Sequence, residues 1–129
     1  RTIEYAQRAS DPRAQGWQAA AHNNIGSDLR EARRFDESLA AFRDALAAYE
    51  RAGRAEQVRI ARWQIANVLR LKGQRDEALA MQLALERDAA AALAPDPYVY
   101  DELALLQRAS GNEKLAREAE ARAAQLRKK

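Results

Sequence analysis

His22 is the only histidine in the chain, and histidine is the one side chain that ordinarily titrates near neutral pH. Acid–base catalysis would need it beside a positioned carboxylate or nucleophile. Clustered carboxylates such as Asp36–Glu37 and Asp76–Glu77 stand where helices would begin. There they favour the helix dipole, which accounts for them without catalysis. With no cysteine present, disulfides, thiolate metal sites and thiol nucleophiles are excluded. No pair of His, Asp or Glu has metal-ligand spacing, and no glycine-rich phosphate loop occurs. Neither enzymatic activity nor a cofactor or metal is expected.

Arginine and amide side chains remain as groups that could bind. The chain carries 18 arginines against four lysines. Arg30, Arg70 and Arg108 have no Asp or Glu three or four residues away, so their own helices supply no ion pair. Arg62 and Arg87 share that property, so a solvated arginine-rich face explains the pattern as well as a carboxylate-binding one. Asn23, Asn24, Gln64 and Asn67 lie close to the same positions in sequence. Each amide offers a donor and an acceptor, which suits the backbone of an extended peptide. Tyr98 and Tyr100 flank Val99 just after Pro97, with Tyr98 the more exposed candidate for a ligand contact.

The scaffold that must position these groups is legible from composition. A length of 129 residues suits one compact domain. Alanine is abundant, aromatics make up 6% and β-branched residues are few, a balance that favours close helix packing over a sheet. The net charge of +3 is interspersed, and the closing "LRKK" is the only basic cluster. Nucleic acid and membrane surfaces are therefore not expected partners. No apolar stretch approaches the roughly 18 residues of a membrane span. The chain starts at Arg1, which suggests an excised piece whose targeting signals lie elsewhere; a cytoplasmic location is the expectation.

Three windows align: "HNNIGSDLREARRF" (22–35), "RWQIANVLRLKGQR" (62–75) and "YDELALLQRASGNE" (100–113). Each sets a bulky residue before a small one, at Ile25–Gly26, Ile65–Ala66 and Leu103–Ala104. Another small residue follows twelve positions later, at Ser38, Ala78 and Ala116. Glycine inside a helix costs roughly 0.5–1 kcal/mol relative to alanine, so Gly26 implies a close helix approach. Gly53, Gly73 and Gly111 mark helix ends, and Asp96–Pro97 marks a start. The pattern predicts a partial helix over 2–9, then helices over 12–33, 36–52, 55–72, 75–93, 97–109 and 113–127.

These spacings resemble the tetratricopeptide repeat, in a long form whose units recur at 40 and 38 residues. The matching residues are Ile25, Gly26, Phe35, Ser38, Phe42 and Ala45 in the first unit. Ile65, Ala66, Leu69, Gly73, Ala78 and Leu79 follow in the second, and Tyr100, Leu103, Ala104, Gly111, Ala116 and Ala123 in the third. Arg33 replaces the usual turn glycine. Gln82 and Leu85 replace an aromatic and an alanine, which predicts a rotated helix with Met81 and Ala84 packed instead. The resemblance implies an all-α, right-handed α-solenoid of helix–turn–helix repeats over 1–129. Residues 1–18 precede the repeats, which occupy 19–53, 54–94 and 95–129. His22 falls where these repeats carry a packed tryptophan, and Trp17 is expected to cover the end of the stack or to serve an interface. In helix 113–127, Leu115, Ala119, Ala123 and Leu126 are expected to form the buried stripe of an end cap.

The resemblance also implies a concave groove lined by the first helix of each pair. Its positions carry Asn23, Ser27 and Arg30 in the first unit, then Trp63, Asn67 and Arg70 in the second. The third supplies Asp101, Leu105 and Arg108, with Tyr98 beside them. The expected function is a protein- or peptide-interaction module holding an extended or helical segment, acidic if the arginines act together. The alternative is a homo-oligomerisation or spacer segment of a bacterial regulatory protein.

Overall fold

The computed structural model describes residues 12–128. Six helices follow one another: α1 (Pro12–Glu31), α2 (Phe35–Arg51), α3 (Ala55–Lys72), α4 (Arg75–Ala91), α5 (Pro97–Ala109) and α6 (Glu113–Arg127). No strand occurs among the described residues, so the chain is all-α as expected. The helix expected over 2–9 lies outside the described residues.

Five of the helices stop in the same way. A residue in the left-handed region follows each, at Arg33, Gly53, Gly73, Leu93 and Gly111, with φ of +60, +68, +97, +56 and +85°. Its amide donates to the carbonyl three residues back, and the next amide reaches five back. In the first turn these bonds run from Arg33 to Arg30 at 2.9 Å and from Arg34 to Leu29 at 2.8 Å. The pair of bonds satisfies carbonyls that the helix end would otherwise orphan. Helices α1 and α4 end at Glu31 and Ala91, two residues short of the sequence reading, because the stops are Arg33 and Leu93 rather than glycine. Helix α5 starts as its sequence demands. Asp96 is extended, its carboxylate accepts from the Tyr98 amide at 2.8 Å, and Pro97 occupies the first turn.

The chain forms two compact units, one reaching Val68 and the other running from Leu69. In the first, α1 packs against α2. A Cβ placed on Gly26 would lie 2.7 Å from two ring atoms of Phe42, a separation that no real Cβ tolerates. The Ser38 hydroxyl donates to the Gly26 carbonyl oxygen at 2.7 Å across the same contact. Phe42 and Ser38 are fully buried, and burying a phenylalanine contributes about 1.5–3 kcal/mol. Gly26 is thus a packing glycine.

In the second unit α5 packs against both α4 and α6. Ala78, Leu85 and Ala89 of α4 join Val99, Leu103, Ala104 and Leu106 of α5 and Ala116, Ala119 and Ala123 of α6 in the core. The expected rotation of α4 does not occur. Gln82 and Leu85 are buried, while Met81 and Ala84 are only half-buried. The stripe on α6 also differs from expectation: Ala116 lies in the core and Leu115 is 46% exposed. Residues 116, 119 and 123 recur at three and four, so the helix turns its alanines inward and leaves Leu115 at the edge.

Candidate interaction site

The residues expected to line a groove can be followed helix by helix. In the first unit, Asn23, Ser27 and Arg30 lie half-buried on α1, at the three- and four-residue spacing of one helix face. On α3, Trp63 and Gln64 are half-buried and Asn67 is buried. One guanidinium nitrogen of Arg30 donates to the side-chain oxygens of both Gln64 and Asn67, the latter at 3.0 Å. The same guanidinium lies 5.4 Å from the centre of the Phe42 ring, within cation–π range. Arg30 therefore ties α1 to α3 and stacks on the core aromatic of α2.

The second unit uses the corresponding arginine in a related way. Arg70, in the last turn of α3, holds Glu102 of α5 through parallel bonds of 2.8 and 3.0 Å. The Glu102 side chain is only 5% exposed, so the pair is largely removed from water. Gln64 and Glu102 each stand two residues before the small residues Ala66 and Ala104. Arg30 and Arg70 each stand four after theirs. The arginine of one unit thus reaches the same position on the next first helix.

Arg108 has no later first helix among the described residues, and it turns to α6. It bonds Glu113 at 2.9 and 3.1 Å and Glu120 at 2.8 and 3.3 Å. Hydrogen bonds from Arg108 hold both carboxyl groups below the usual carboxylate range. Asp101 is half-buried and accepts two bonds from Arg127 of α6. That guanidinium also lies 5.3 Å from the Tyr98 ring, which is 61% exposed. Leu105 is 47% exposed on the same helix. Arg108 and Arg127 brace α5 against α6.

Sequence spacing placed these residues on helix faces but did not find their partners, because the acceptors belong to other helices. The one available signal was Gln64 and Glu102 occupying the same repeat position. Gln82 is a further residue whose setting was missed. It occupies the place of Phe42, sixteen residues after the small residue of its unit, and neither of its buried amide atoms has a hydrogen-bond partner.

His22 is half-buried on α1 and Trp17 is 79% exposed. Among the described residues no three His, Asp or Glu side chains gather as a metal site. No described helix is long and apolar enough to cross a membrane. The arrangement offers hydrogen-bonding and apolar contact surface on helix faces, the chemistry of recognition.

No curated protein and no solved structure matches the chain significantly. A family model described as "Tetratricopeptide repeat" matches residues 17–94, more than half of the chain and the span that holds α2, α3, α4 and the contact at Gly26. Members of this family generally serve as protein-interaction modules. The chain belongs to the tetratricopeptide repeat family.

Proposed function

We propose that the chain binds an extended or helical segment of a partner protein through the exposed faces of its first helices. The observation that carries this reading is the polar and aromatic set Asn23, Ser27, Arg30 and Trp63, none of which is withdrawn into the core. Asn23 would hold the partner's backbone, which needs both a donor and an acceptor, and Trp63 would offer an apolar face. In the second unit, Tyr98 and Leu105 of α5 would offer a contact of their own. An acidic partner has to compete with Glu102 at Arg70 and with Glu113 and Glu120 at Arg108. In the first unit the arginine offered to such a partner is Arg30, which also donates to the side-chain oxygens of Gln64 and Asn67. A peptide-array screen repeated with Asn23→Ala and Arg30→Gln tests this. Acidic enrichment among bound peptides that Arg30→Gln abolishes supports the reading; unchanged binding by both variants refutes it.

Self-association is a second reading, favoured by one observation. Trp17 and Ile25, eight residues apart on α1, are 79% and 49% exposed, and exposed aromatic and aliphatic residues on one helix side are common contact groups. Sedimentation velocity over a concentration series, with Trp17→Ala as the control, distinguishes it.

A further inference from the structure

The second unit contains a cleft unrelated to the faces considered above. Leu83 and Glu86 of α4 form one wall, and Leu115, Glu118, Ala119 and Arg122 of α6 form the other. Tyr100, Leu103 and Gln107 of α5 form the floor. The residues from each helix are spaced by three or four, so each helix presents a single face. The volume is about 310 Å³, at the bottom of the roughly 300–1,000 Å³ range of ligand pockets. A single long side chain suits that size better than a cofactor does.

The chemistry of the lining selects the occupant. Two carboxylates, Glu86 and Glu118, face one cation, Arg122. That cation is already engaged: its guanidinium lies 6.0 Å from the Tyr100 ring centre and donates to Gln125 at 2.9 Å. Burial and the neighbouring Glu86 carboxylate raise the Tyr100 phenol above its ordinary pKa, so it stays neutral. Glu118 has no ion-pair or hydrogen-bond partner among the described residues. Gln107 is nine-tenths buried. Its side-chain oxygen accepts from Asn112 at 3.0 Å, leaving its amide nitrogen without a partner on the floor of the cleft. Leu83, Leu103 and Leu115 supply apolar walls, and Leu115 is 46% exposed at the rim.

We propose that this cleft docks one lysine side chain of a partner polypeptide, flanked by an aliphatic residue that covers Leu115. The lysine stem lies along Leu83, Leu103 and Leu115, as long cationic side chains do on apolar surface. Its ammonium reaches Glu118 and the free lone pairs of Glu86, giving charge-assisted bonds. A compact ammonium suits two carboxylates on opposite walls better than the planar fork of arginine, which favours one carboxylate in its own plane. A backbone carbonyl or water that follows the side chain in would accept from the Gln107 amide.

The test is a nuclear magnetic resonance titration of the ¹⁵N-labelled chain with the acetylated, amidated tripeptide Leu-Lys-Leu. The control peptide replaces lysine by norleucine, which keeps the stem and removes the charge. Saturable shifts at Tyr100, Gln107, Leu115 and Glu118 are expected, with the norleucine peptide binding about tenfold more weakly or worse. Glu118→Gln should weaken the lysine peptide to the level of the control and leave the control unchanged. Because Glu118 is exposed, this variant should keep the parent melting curve. Leu115→Ser should weaken both peptides, and Arg30→Gln should affect neither. Equal binding of the two peptides, shifts scattered away from the cleft, or an unchanged constant in Glu118→Gln overturns the proposal.

Discussion

Arg70 grips the carboxylate of Glu102 through two parallel hydrogen bonds of 2.8 and 3.0 Å, and the Glu102 side chain is 5% exposed. The geometry is the bidentate fork that arginine forms best. Removing one partner of such a pair leaves a charge with little access to water, at a cost of about 3–5 kcal/mol for a fully buried pair. Arg70 itself is 24% exposed, so Arg70→Ala should cost about 2–3 kcal/mol in denaturant unfolding. Replacing both, as Arg70→Leu with Glu102→Leu, should recover most of that loss. A double variant no better than the single one would mean that the pair contributes favourably in its own right.

The contact between Gly26 and Phe42 sets two effects against each other. Alanine at a helical glycine normally gains about 0.5–1 kcal/mol. Here the added methyl would meet the buried ring at 2.7 Å, and overpacking costs about 1–3 kcal/mol. Gly26→Ala should therefore lower stability. Adding Phe42→Leu makes room, so the double variant should be more stable than the sum of the two single changes predicts. Strict additivity in urea titrations would show that the ring does not limit the approach.

Much of the fold could be read directly from the chain, because its punctuation is chemically explicit. Gly73, Gly111 and Asp96–Pro97 fixed α3, α5 and α6 to the residue. Arg33 and Leu93 perform the same stop without glycine, and there the reading ran two residues long. The site was less legible. Neighbours within a helix follow from spacing, but Arg30 with Gln64, or Arg108 with Glu120, depends on which helices lie side by side. Gln82 remained hidden for a similar reason: a polar residue on a mostly apolar face reads as a rotation signal, yet the helix keeps its register and buries the amide.

That amide carries its own prediction. Gln82 is fully buried with neither side-chain atom hydrogen-bonded, a state that costs about 1–3 kcal/mol for the lost water contacts. Gln82→Met keeps a similar length and removes the polar atoms. It should raise the midpoint of thermal unfolding, by about 1–2 kcal/mol in stability. A lower midpoint would mean that the amide is hydrogen-bonded in solution.

Leu93 has φ of +56° and is 90% exposed. A side chain in the left-handed region costs roughly 1–2 kcal/mol, and this one gains little packing in return. Leu93→Gly should stabilise the chain by about 0.5–1 kcal/mol, after the greater freedom of the unfolded glycine chain is subtracted. Arg33→Gly should gain less, since the Arg33 guanidinium lies 5.3 Å from the Phe35 ring and that contact would be lost. Equal gains at both sites would show that the Phe35 contact adds nothing.

The Arg108 cluster makes α6 sensitive to acid. Glu113 and Glu120 are held below the ordinary carboxylate value of 4.5, chiefly by hydrogen bonds from Arg108. A carboxylate depressed in the folded state stabilises folding above its unfolded value and loses that contribution as pH falls through the folded one. The support that Arg108 gives to α6 should thus be complete at neutral pH, begin to fall near the unfolded value of about 4.5, and be lost as pH drops through the lower folded-state values. These groups are solvent-exposed, so salt at 0.5 M should mimic part of the acid effect by screening. Amide hydrogen exchange along residues 113–127 measures it directly. Protection should fall between pH 5 and pH 3 in the parent chain and change less in Arg108→Gln; the same fall in both chains would separate the acid response from this cluster.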